Sequence, residues 1–362
     1  MNVVILHQSI AADDLIGHDI RGMYQILNRR HQCYVYGDDV LQSDPDRLDK
    51  SSMLELLAHP ENIVIYHHSR YWPEGESFLD QAKARIVIKY HGITPEWFFL
   101  GLCEDDYRQC CLGREQTGRL AHKDISLWMS DSNYYHQEME HHFAGYRVVV
   151  PPFHPIDQWR QTRPDEETLK GLLENKQINL LSVGRVTPDK GHDFLVRIVK
   201  DYCARYGAEI MLNIIGKKDD ALSPYHDHLD HLIDEFDLSD QIRFIGEVDE
   251  QMLLTFYLGC DCFISGSRYE GFGMRLIEAQ NLYLPVIARR LSAVEETLGP
   301  GQIVLEDEPA DYAKAIRRLA DDKEYRTALT QTGCRNYQER FATAPIERLF
   351  VEALTVLTGI EL

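Results

Sequence analysis

Short apolar runs rich in Val and Ile recur along this chain, and each interval between them has room for one amphipathic helix. The runs are nearly continuous rather than alternating, which is typical of parallel strands that are covered on both faces. Strands that alternate with helices indicate a doubly wound parallel sheet, so we predict an α/β fold with six strands in each half. The predicted strands are Val3–His7, Cys33–Gly37, Asn62–His68, Arg85–His91, Ile125–Ser130 and Arg147–Val150, then Ile178–Val183, Glu209–Ile215, Gln241–Ile245, Asp261–Ser265, Pro285–Arg289 and Gln302–Leu305.

The length of 362 residues is enough for two domains of ordinary size. Four prolines between positions 151 and 164 interrupt regular structure where the two halves meet. We therefore predict an N-terminal Rossmann-like domain over residues 1–160 and a C-terminal one over residues 165–340. The segment 341–362 is amphipathic, and we predict that it forms a helix that crosses back to the first domain.

The charge balance argues against a nucleic-acid partner. The net charge is -20, and residues 1–150 alone carry 14 Lys and Arg against 22 Asp and Glu, whereas binding to phosphate backbones needs clustered cations. The chain begins with a strand-like run, and no stretch approaches the roughly 20 apolar residues of a membrane span. We expect a soluble, cytoplasmic protein with at most peripheral contact at the inner face of the cytoplasmic membrane. The apolar segment Trp97–Leu100 either packs in the core or touches lipid.

Polar and glycine residues collect just after the predicted strands. Because ligands of open parallel sheets bind beyond the carboxyl ends of the strands, these residues are the candidates for a binding site. Two such edges that face each other would form a cleft. The residues are His7-Gln8-Ser9, His67-His68-Ser69, His91-Gly92 and Ser132-Asn133 in the first half, and Gly184-Arg185, Gly216-Lys217, Gly246-Glu247 and Ser267–Gly273 in the second.

The richest of these segments runs from Glu270 to Glu278. Gly271 and Gly273 allow backbone N–H groups to approach a ligand, and the helix predicted to begin near Gly273 favours an anion at its N-terminus. Each carboxylate is a good acceptor for a pair of sugar hydroxyls. On spacing alone, a structural glycine turn with two solvated acids is the favoured explanation.

Two cations follow the first strand of the second half. Arg185 and Lys190 suit a diphosphate, and positive charge there would stabilise a nucleoside diphosphate as it leaves. Taken alone, they are explained equally well as exposed loop cations. Together with Glu270 and Glu278 they favour a binding site for a nucleotide sugar.

These motifs resemble those of glycosyltransferase family 4, a family of retaining enzymes with the GT-B fold. The resemblance rests on Gly184-Arg185 with Lys190-Gly191, on Gly246-Glu-Val, and on Ser267-Arg-Tyr-Glu-Gly-Phe-Gly followed by Glu278. It covers about residues 178–341, and Lys89-Tyr-His91-Gly-Ile-Thr-Pro resembles the histidine motif of bacterial polysaccharide-assembling members. The resemblance implies two Rossmann-like domains that face a central cleft.

The resemblance also implies a role for each motif residue. We expect catalysis to depend on Glu270, His91, Arg185 and Lys190. Arg185 and Lys190 would contact the diphosphate, Glu278 the ribose and Glu270 the hydroxyls of the donor sugar. The loop from Gly246 to Val248 would contact the base, His91 would lie near the reacting carbon, and Gly17 would contact phosphate. Backbone groups would contact sugar and phosphate at Gly271, Phe272, Gly273 and Met274. The sequence departs from the family pattern at Arg275, where an apolar residue is commoner.

The function implied is transfer of a hexose to a glycan or lipid-linked glycan in the synthesis of a surface polysaccharide or lipopolysaccharide. GDP-mannose is the first donor expected and UDP-hexoses are the second. No cofactor or metal is expected, because neither His67-His68 nor His141-His142 has a carboxylate or cysteine at ligand spacing. The alternatives are a non-catalytic partner that binds nucleotide sugars and a sugar-nucleotide epimerase of the same fold.

Overall fold

The computed structural model describes residues 1–11, 14–40 and 46–359. They form two compact units. The first unit holds the described residues of Met1–Trp97, Asp105–Asp157 and those from Ala342 onward. The second holds Phe98–Glu104 and Gln158–Phe341.

The described residues form fourteen strands, and all twelve predicted strands are among them. The ends differ from the predicted ends by at most two residues, because chain periodicity locates a strand better than its boundaries. The additional strands are the two-residue β2 and β4, which pair with each other. The strands are β1 Asn2–Leu6, β2 Ser9–Ile10, β3 Gln32–Tyr36, β4 Asp39–Val40, β5 Ile63–His68, β6 Arg85–Tyr90, β7 Leu127–Ser130, β8 Arg147–Val149, β9 Ile178–Val183, β10 Ile210–Ile215, β11 Ile242–Gly246, β12 Cys262–Ser265, β13 Val286–Arg289 and β14 Ile303–Leu305.

Helices fill the intervals between the strands. Within the described ranges, none of them combines the length and the apolar character that a bilayer span requires. The helices are α1 Leu15–Leu27, α2 Lys50–Leu57, α3 Pro73–Gln81, α4 Glu104–Ala121, α5 Asn133–Glu138, α6 Glu166–Glu174, α7 His192–Tyr206, α8 Ser223–Glu235, α9 Glu250–Gly259, α10 Met274–Asn281, α11 Val294–Leu298, α12 Pro309–Asp321, α13 Lys323–Arg340 and α14 Thr343–Thr358.

Aspartate side chains fix where several of these helices begin. An N-cap carboxylate accepts a hydrogen bond from a backbone N–H of the first turn that has no helical partner, which contributes about 1 kcal/mol. Such caps start α1, α2, α6, α9 and α13, at Asp14, Asp49, Asp165, Asp249 and Asp322.

Each unit is built on one six-stranded sheet whose paired strands are all parallel, which confirms the predicted fold class. The strand order is β3-β1-β5-β6-β7-β8 in the first unit and β11-β10-β9-β12-β13-β14 in the second. Consecutive residues Leu180 and Leu181 of β9 are both fully buried but belong to different hydrophobic clusters. The sheet is therefore covered on both faces, which is why its strands appear as continuous apolar runs.

The C-terminal helix α14 is part of the core of the first unit. Ile346, Phe350 and Leu354 are fully buried, and the Phe350 ring meets Phe153 edge to face at 5.8 Å between centroids. Helix spacing puts these apolar residues on one face. The apolar face of α14 thus covers the sheet of the first unit rather than that of the second.

His68 at the end of β5 is fully buried and its Nε2 lies 2.8 Å from the Thr117 hydroxyl. Burial lowers the pKa of His68 to about 3, with smaller contributions from the charges of His91 and His7. An unfolded chain binds a proton at His68 as the pH falls through about 6.5, whereas the folded chain does not until the pH reaches about 3. The free energy of unfolding therefore falls as the pH falls through this window.

We expect His68→Gln, which keeps a hydrogen-bonding group beside Thr117, to reduce the acid sensitivity of the protein. Between pH 7 and pH 5 the titration of His68 lowers the free energy of unfolding by roughly 2 kcal/mol. Thermal melts at the two pH values measure the difference, with the exposed His122→Gln as the matched control. An unchanged difference in His68→Gln would show that other groups cause the acid sensitivity.

Candidate functional site

The strand order of the second sheet reverses between β9 and β12, which lie side by side with Leu181 paired to Phe263. In sheets of this order, ligands bind at the carboxyl ends of the strands where the order reverses. We call this place the reversal point. The loop after β9 carries Arg185 and Lys190, and the loop after β12 carries Glu270. Parallel pairing therefore brings together two of the segments that the sequence singles out.

Lys190 and Glu270 form an ion pair at the reversal point. The Lys190 Nζ lies 2.9 Å from Glu270 Oε2, and the Ser267 hydroxyl lies 3.2 Å from the same oxygen. Their side chains are 26% and 20% exposed, so solvent reaches the pair. Burial lowers the pKa of Lys190, but the negative charges of Glu270 and Asp189 outweigh it and the pKa is raised. Lys190 therefore keeps its positive charge at neutral pH.

Arg185 adds a second cation to the same loop. Its side chain is exposed, and its charge acts to lower the pKa of Lys190, as expected of two cations that are neighbours. Within the described part of the chain its guanidinium has neither a hydrogen bond nor an ion pair. Arg185 is thus available to an anionic ligand, whereas Lys190 would have to share its charge with Glu270.

Two glycines let the loops after β9 and β12 touch through their backbones. Gly191 has a left-handed backbone with φ +64°, and a Cβ there would lie 2.1 Å from the carbonyl oxygen of Gly266. Any side chain at this position would push the two loops apart. The close approach keeps Lys190, the residue before Gly191, beside the segment that carries Glu270.

Helix α10 begins where the β12 loop ends. Its N-cap, Gly273, has φ +91°, and the helix leaves its first N–H groups without helical acceptors, which gives its N-terminus a positive potential. Gly271 and Phe272 before it are buried, and Met274 is partly exposed. The helix therefore begins near Gly273, as predicted, next to the reversal point.

Glu278 lies on the second turn of α10 and is 3% exposed. Its Oε2 accepts a hydrogen bond of 2.6 Å from the Tyr257 hydroxyl, and its Oε1 accepts one of 2.6 Å from Arg275 Nη1. A buried carboxylate costs several kcal/mol unless it is paired, so these two donors explain how Glu278 is tolerated. The predicted ribose contact is thus a fixed, charge-compensated carboxylate.

The loop predicted to contact the base follows β11. That strand ends at Gly246, which has φ +88° and open space around the position of a Cβ. The Gly246 carbonyl accepts a hydrogen bond of 2.9 Å from Gly216 N. Val248 is partly buried and packs against the hydrophobic cluster that contains Leu181. The loop therefore begins at the carboxyl edge of the same sheet, two strands away from β9.

Residues 165–335 match the family model described as "Glycosyl transferases group 1". The match includes Arg185, Lys190, Glu270 and Glu278. This part of the chain is therefore similar to the group 1 glycosyl transferases, and we call it the group 1 domain. The predicted resemblance to a glycosyltransferase family is confirmed for this group 1 domain.

Curated relatives carry related names. A stretch of 148 residues is 30% identical to D-inositol 3-phosphate glycosyltransferase 2 of Catenulispora acidiphila, covering 39% of this chain and 35% of the relative. A stretch of 304 residues is 27% identical to D-inositol 3-phosphate glycosyltransferase of Geodermatophilus obscurus, covering 80% of this chain and 65% of the relative. The chain thus spans between about a third and two thirds of the length of these relatives.

Solved structures share the fold along almost the whole chain. Sucrose-phosphate synthase from Thermosynechococcus elongatus superimposes with a TM-score of 0.76 at 17% identity over 99% of both chains. Anabaena HepE in complex with UDP-glucose gives a TM-score of 0.72 at 16% identity, over 99% of this chain and all of that one. At such identities the likeness shows the fold alone, and it confirms the predicted GT-B class.

His91 belongs to the first unit, outside the group 1 domain, and its imidazole is used within that unit. The Nδ1 lies 2.8 Å from Asp131 Oδ2, and the Nε2 lies 2.9 Å from His67 Nδ1. The side chain is 4% exposed although the residue as a whole is partly exposed, so the exposed surface is mostly main chain. In this arrangement His91 offers its backbone, rather than its imidazole, to a ligand.

A second carboxylate, Asp19, completes a buried polar cluster around His91. The Asp19 Oδ2 lies 3.8 Å from His67 Nδ1, from His91 Nε2 and from Lys89 Nζ. Burial raises the pKa of Asp19 above its ordinary value, against the opposing charges of Lys89 and His91. The fold thus supplies the carboxylate that the sequence spacing does not place near His67, and three potential ligand atoms converge.

Lys89 already provides positive charge to this cluster. It is fully buried, contacts Asp131 Oδ1, and donates to the Val150 carbonyl at 2.5 Å. Burial lowers the pKa of His67 well below its ordinary value, so this imidazole is neutral at neutral pH. The His67 Nδ1 and His91 Nε2 nitrogens lie 2.9 Å apart, a hydrogen-bond distance. Lys89 therefore places positive charge beside both Asp19 and Asp131.

Gly17 has a structural role in the first unit. It lies in the first turn of α1, where its N–H donates to Asp14 Oδ1 at 2.6 Å. A Cβ at Gly17 would lie 1.9 Å from the Ala11 carbonyl oxygen. The N–H of Gly17, the residue that the resemblance assigns to phosphate, is thus already bonded to the N-cap Asp14.

Sequence reasoning missed Tyr257, Ser267 and Asp131 as individual contributors. Ser267 lies inside the recognised motif, and Asp131 directly follows a predicted strand, so both positions carried a signal. Tyr257 lies in the apolar helix α9, 21 residues from Glu278 along the chain, and had none.

We expect Gly191→Ala to destabilise the group 1 domain and to weaken ligand binding at the reversal point, because its Cβ would meet Gly266. Gly359→Ala is the matched control, since Gly359 is also left-handed at φ +69° but has open space around a Cβ. The left-handed backbone alone costs about 1 to 2 kcal/mol for alanine. Thermal melts should show that Gly191→Ala lowers the free energy of unfolding by at least twice as much as the control does. Equal decreases would mean that the loop of Gly266 moves aside freely.

Proposed function

We propose that this chain is a retaining, metal-independent glycosyltransferase that moves a hexose from a nucleotide-sugar donor to a glycan or lipid-linked acceptor. The observation that carries the proposal is the set at the reversal point of the group 1 domain. Arg185 and Lys190 supply two cations, and Glu270 and Glu278 supply two carboxylates. This combination matches the charge and the hydroxyl groups of a diphosphate flanked by two sugars.

Charge at the reversal point supports the assignment of the diphosphate. Lys190 is held charged by Glu270, and Arg185 is exposed beside it. Charge-assisted hydrogen bonds to phosphate contribute roughly 1.5–3 kcal/mol each. As the bond to the sugar breaks, negative charge grows on the diphosphate, so both cations bind the transition state more tightly than the ground state.

The two carboxylates would bind hydroxyl groups of the two sugars. Glu270 Oε2 already accepts from Lys190 and Ser267, which leaves its other oxygen for hydroxyls of the hexose. Glu278 would accept the ribose hydroxyls, and the loop Gly246–Val248 would contact the base. Backbone groups of Gly271, Phe272, Gly273 and Met274 would meet the sugar and phosphates at the start of α10.

The proposed step breaks the bond between the anomeric carbon and the phosphate oxygen and forms a bond from the acceptor oxygen to the same face of that carbon. The proton of the acceptor hydroxyl passes to the leaving phosphate, so no side chain becomes a covalent nucleophile. Arg185 and Lys190 take the role that a divalent metal has in other transferases. We propose that His91 contributes to the sugar site through its main chain.

The relatives support a panel of candidate donors and acceptors. Anabaena HepE binds UDP and glucose, and a trehalose-6-phosphate protein of E. coli binds UDP-2-fluoro glucose, so UDP-hexoses join GDP-mannose at the head of a donor panel. The relatives named for D-inositol 3-phosphate add a phosphorylated acceptor to the glycans to be tested. Trp97 and Leu100 are 59% and 64% exposed, which supports peripheral contact with a lipid-linked acceptor.

We expect Arg185→Ala and Glu270→Ala each to lower the rate of transfer at least 100-fold, because each removes a group that contacts the donor in the transition state. The melting temperature should stay nearly unchanged, since both side chains are at least partly exposed. Arg317→Met, which removes an exposed cation of α12, should keep full activity. Full activity in both site variants would contradict the proposal.

Product analysis separates the alternatives. A donor panel of UDP-, GDP- and dTDP-sugars in thermal shift identifies the nucleotide, because a ligand that binds the native state raises its melting temperature. Transfer yields free nucleoside diphosphate and a glycoside. An isomerised donor would indicate an epimerase, and binding without turnover against any acceptor would indicate a non-catalytic partner.

A further inference from the structure

Glu278 is held from two sides by residues that the family motif does not include. Tyr257 comes from α9 and donates to Oε2, while Arg275 comes from the preceding turn of α10 and donates to Oε1. Both distances are 2.6 Å, short enough for strong charge-assisted hydrogen bonds. The carboxylate therefore cannot rotate without losing one of them.

The Tyr257 hydroxyl is itself held in place. The side chain is 1% exposed, and its ring stacks on Phe263 at 6.0 Å and packs against Trp159 at 5.9 Å between centroids. Burial, and then the charge of Glu278, raise the pKa of Tyr257 well above its ordinary value. The hydroxyl thus stays protonated and remains a donor at neutral pH.

The Glu278 carboxylate keeps acceptor positions for further hydrogen bonds. Each carboxylate oxygen can accept about two hydrogen bonds, so Tyr257 and Arg275 use one position on each oxygen. One position on each oxygen remains, which suits two adjacent hydroxyls of a ribose in a bidentate contact. The two donors thus occupy the carboxylate without blocking it.

Arg275 is much more exposed than the carboxylate with which it pairs. Its side chain is 43% exposed, whereas that of Glu278 is 4% exposed. An apolar residue is commoner at 275 in the family. It would remove one of the two hydrogen-bond donors and leave the Tyr257 hydroxyl as the other. The positive charge of Arg275 compensates the negative charge of the carboxylate.

We propose that Arg275 and Tyr257 are positioning residues that orient Glu278 for the two ribose hydroxyls of the donor, and so set the preference of this chain for ribonucleotides. The inference rests on the proposed function, because it assumes a nucleotide at the reversal point. Neither residue needs to touch the donor. Their contribution depends on the hydroxyls that Glu278 binds.

The test measures affinity with and without those hydroxyls. Isothermal calorimetry on the full chain would compare UDP and GDP with their 2′,3′-dideoxy forms in wild type, Arg275→Met, Tyr257→Phe and Glu278→Gln. We expect the wild type to bind its ribonucleotide more tightly than the dideoxy form. Arg275→Met and Tyr257→Phe should each lower the affinity for that ribonucleotide roughly ten-fold. Both variants should change the affinity for the dideoxy form by less than two-fold. Arg275→Lys, which keeps a charged donor, should recover part of the loss.

Two controls separate positioning from general damage. Arg317→Met removes a cation from the same unit and should leave both affinities unchanged. Melting curves report folding, and Arg275→Met is the safer variant because the Arg275 side chain is 43% exposed whereas Tyr257 is buried. Equal losses for ribonucleotide and dideoxynucleotide in Arg275→Met and Tyr257→Phe, or a wild type without preference, would overturn the inference while leaving the proposed function intact. A wild type that binds neither UDP nor GDP would overturn both.

Discussion

A parallel strand that is covered on both faces can offer polar groups only at its ends, and the second unit depends on this constraint. Leu180 and Leu181 of β9 pack into different clusters, so the middle of the sheet has no place for chemistry. Polar side chains collect at the carboxyl edge. Because the strand order reverses between β9 and β12, the helices that follow leave opposite faces of the sheet, and the loops carrying Arg185 and Glu270 line the opening.

The charges at this edge are paired with one another. Lys190 pairs with Glu270, and Arg275 pairs with Glu278. Arg275 compensates the charge of the buried Glu278, which would otherwise cost several kcal/mol, whereas Lys190 and Glu270 are within reach of solvent. The pairing also fixes the side chains before any ligand arrives, which lowers the reorganisation needed when charge develops on a leaving group. Arg185, by contrast, is exposed and has no ion-pair partner among the described residues.

The histidine motif of the first unit also lies among charged side chains that pair with one another, but there they are buried. His91 follows a strand, as a ligand-binding residue would, but Asp131 and His67 engage both nitrogens of its ring. Two buried carboxylates, Asp19 and Asp131, lie in the same cluster, where Lys89 supplies positive charge. The imidazole of His91 is thus hydrogen-bonded inside the unit, and its main chain carries the exposed surface.

The sequence by itself determined the twelve main strands, the helix that begins after Gly273, and the loops that carry the charged motifs. These features depend on local periodicity and on residues such as glycine and aspartate, whose effects reach only a few positions. Only the tertiary structure decided which strands are neighbours and therefore which loops meet. Lys190 and Glu270 are 80 residues apart, and Tyr257 and Glu278 are 21 apart. A hydrogen bond depends on distance and angle in space, and no spacing along the chain encodes either.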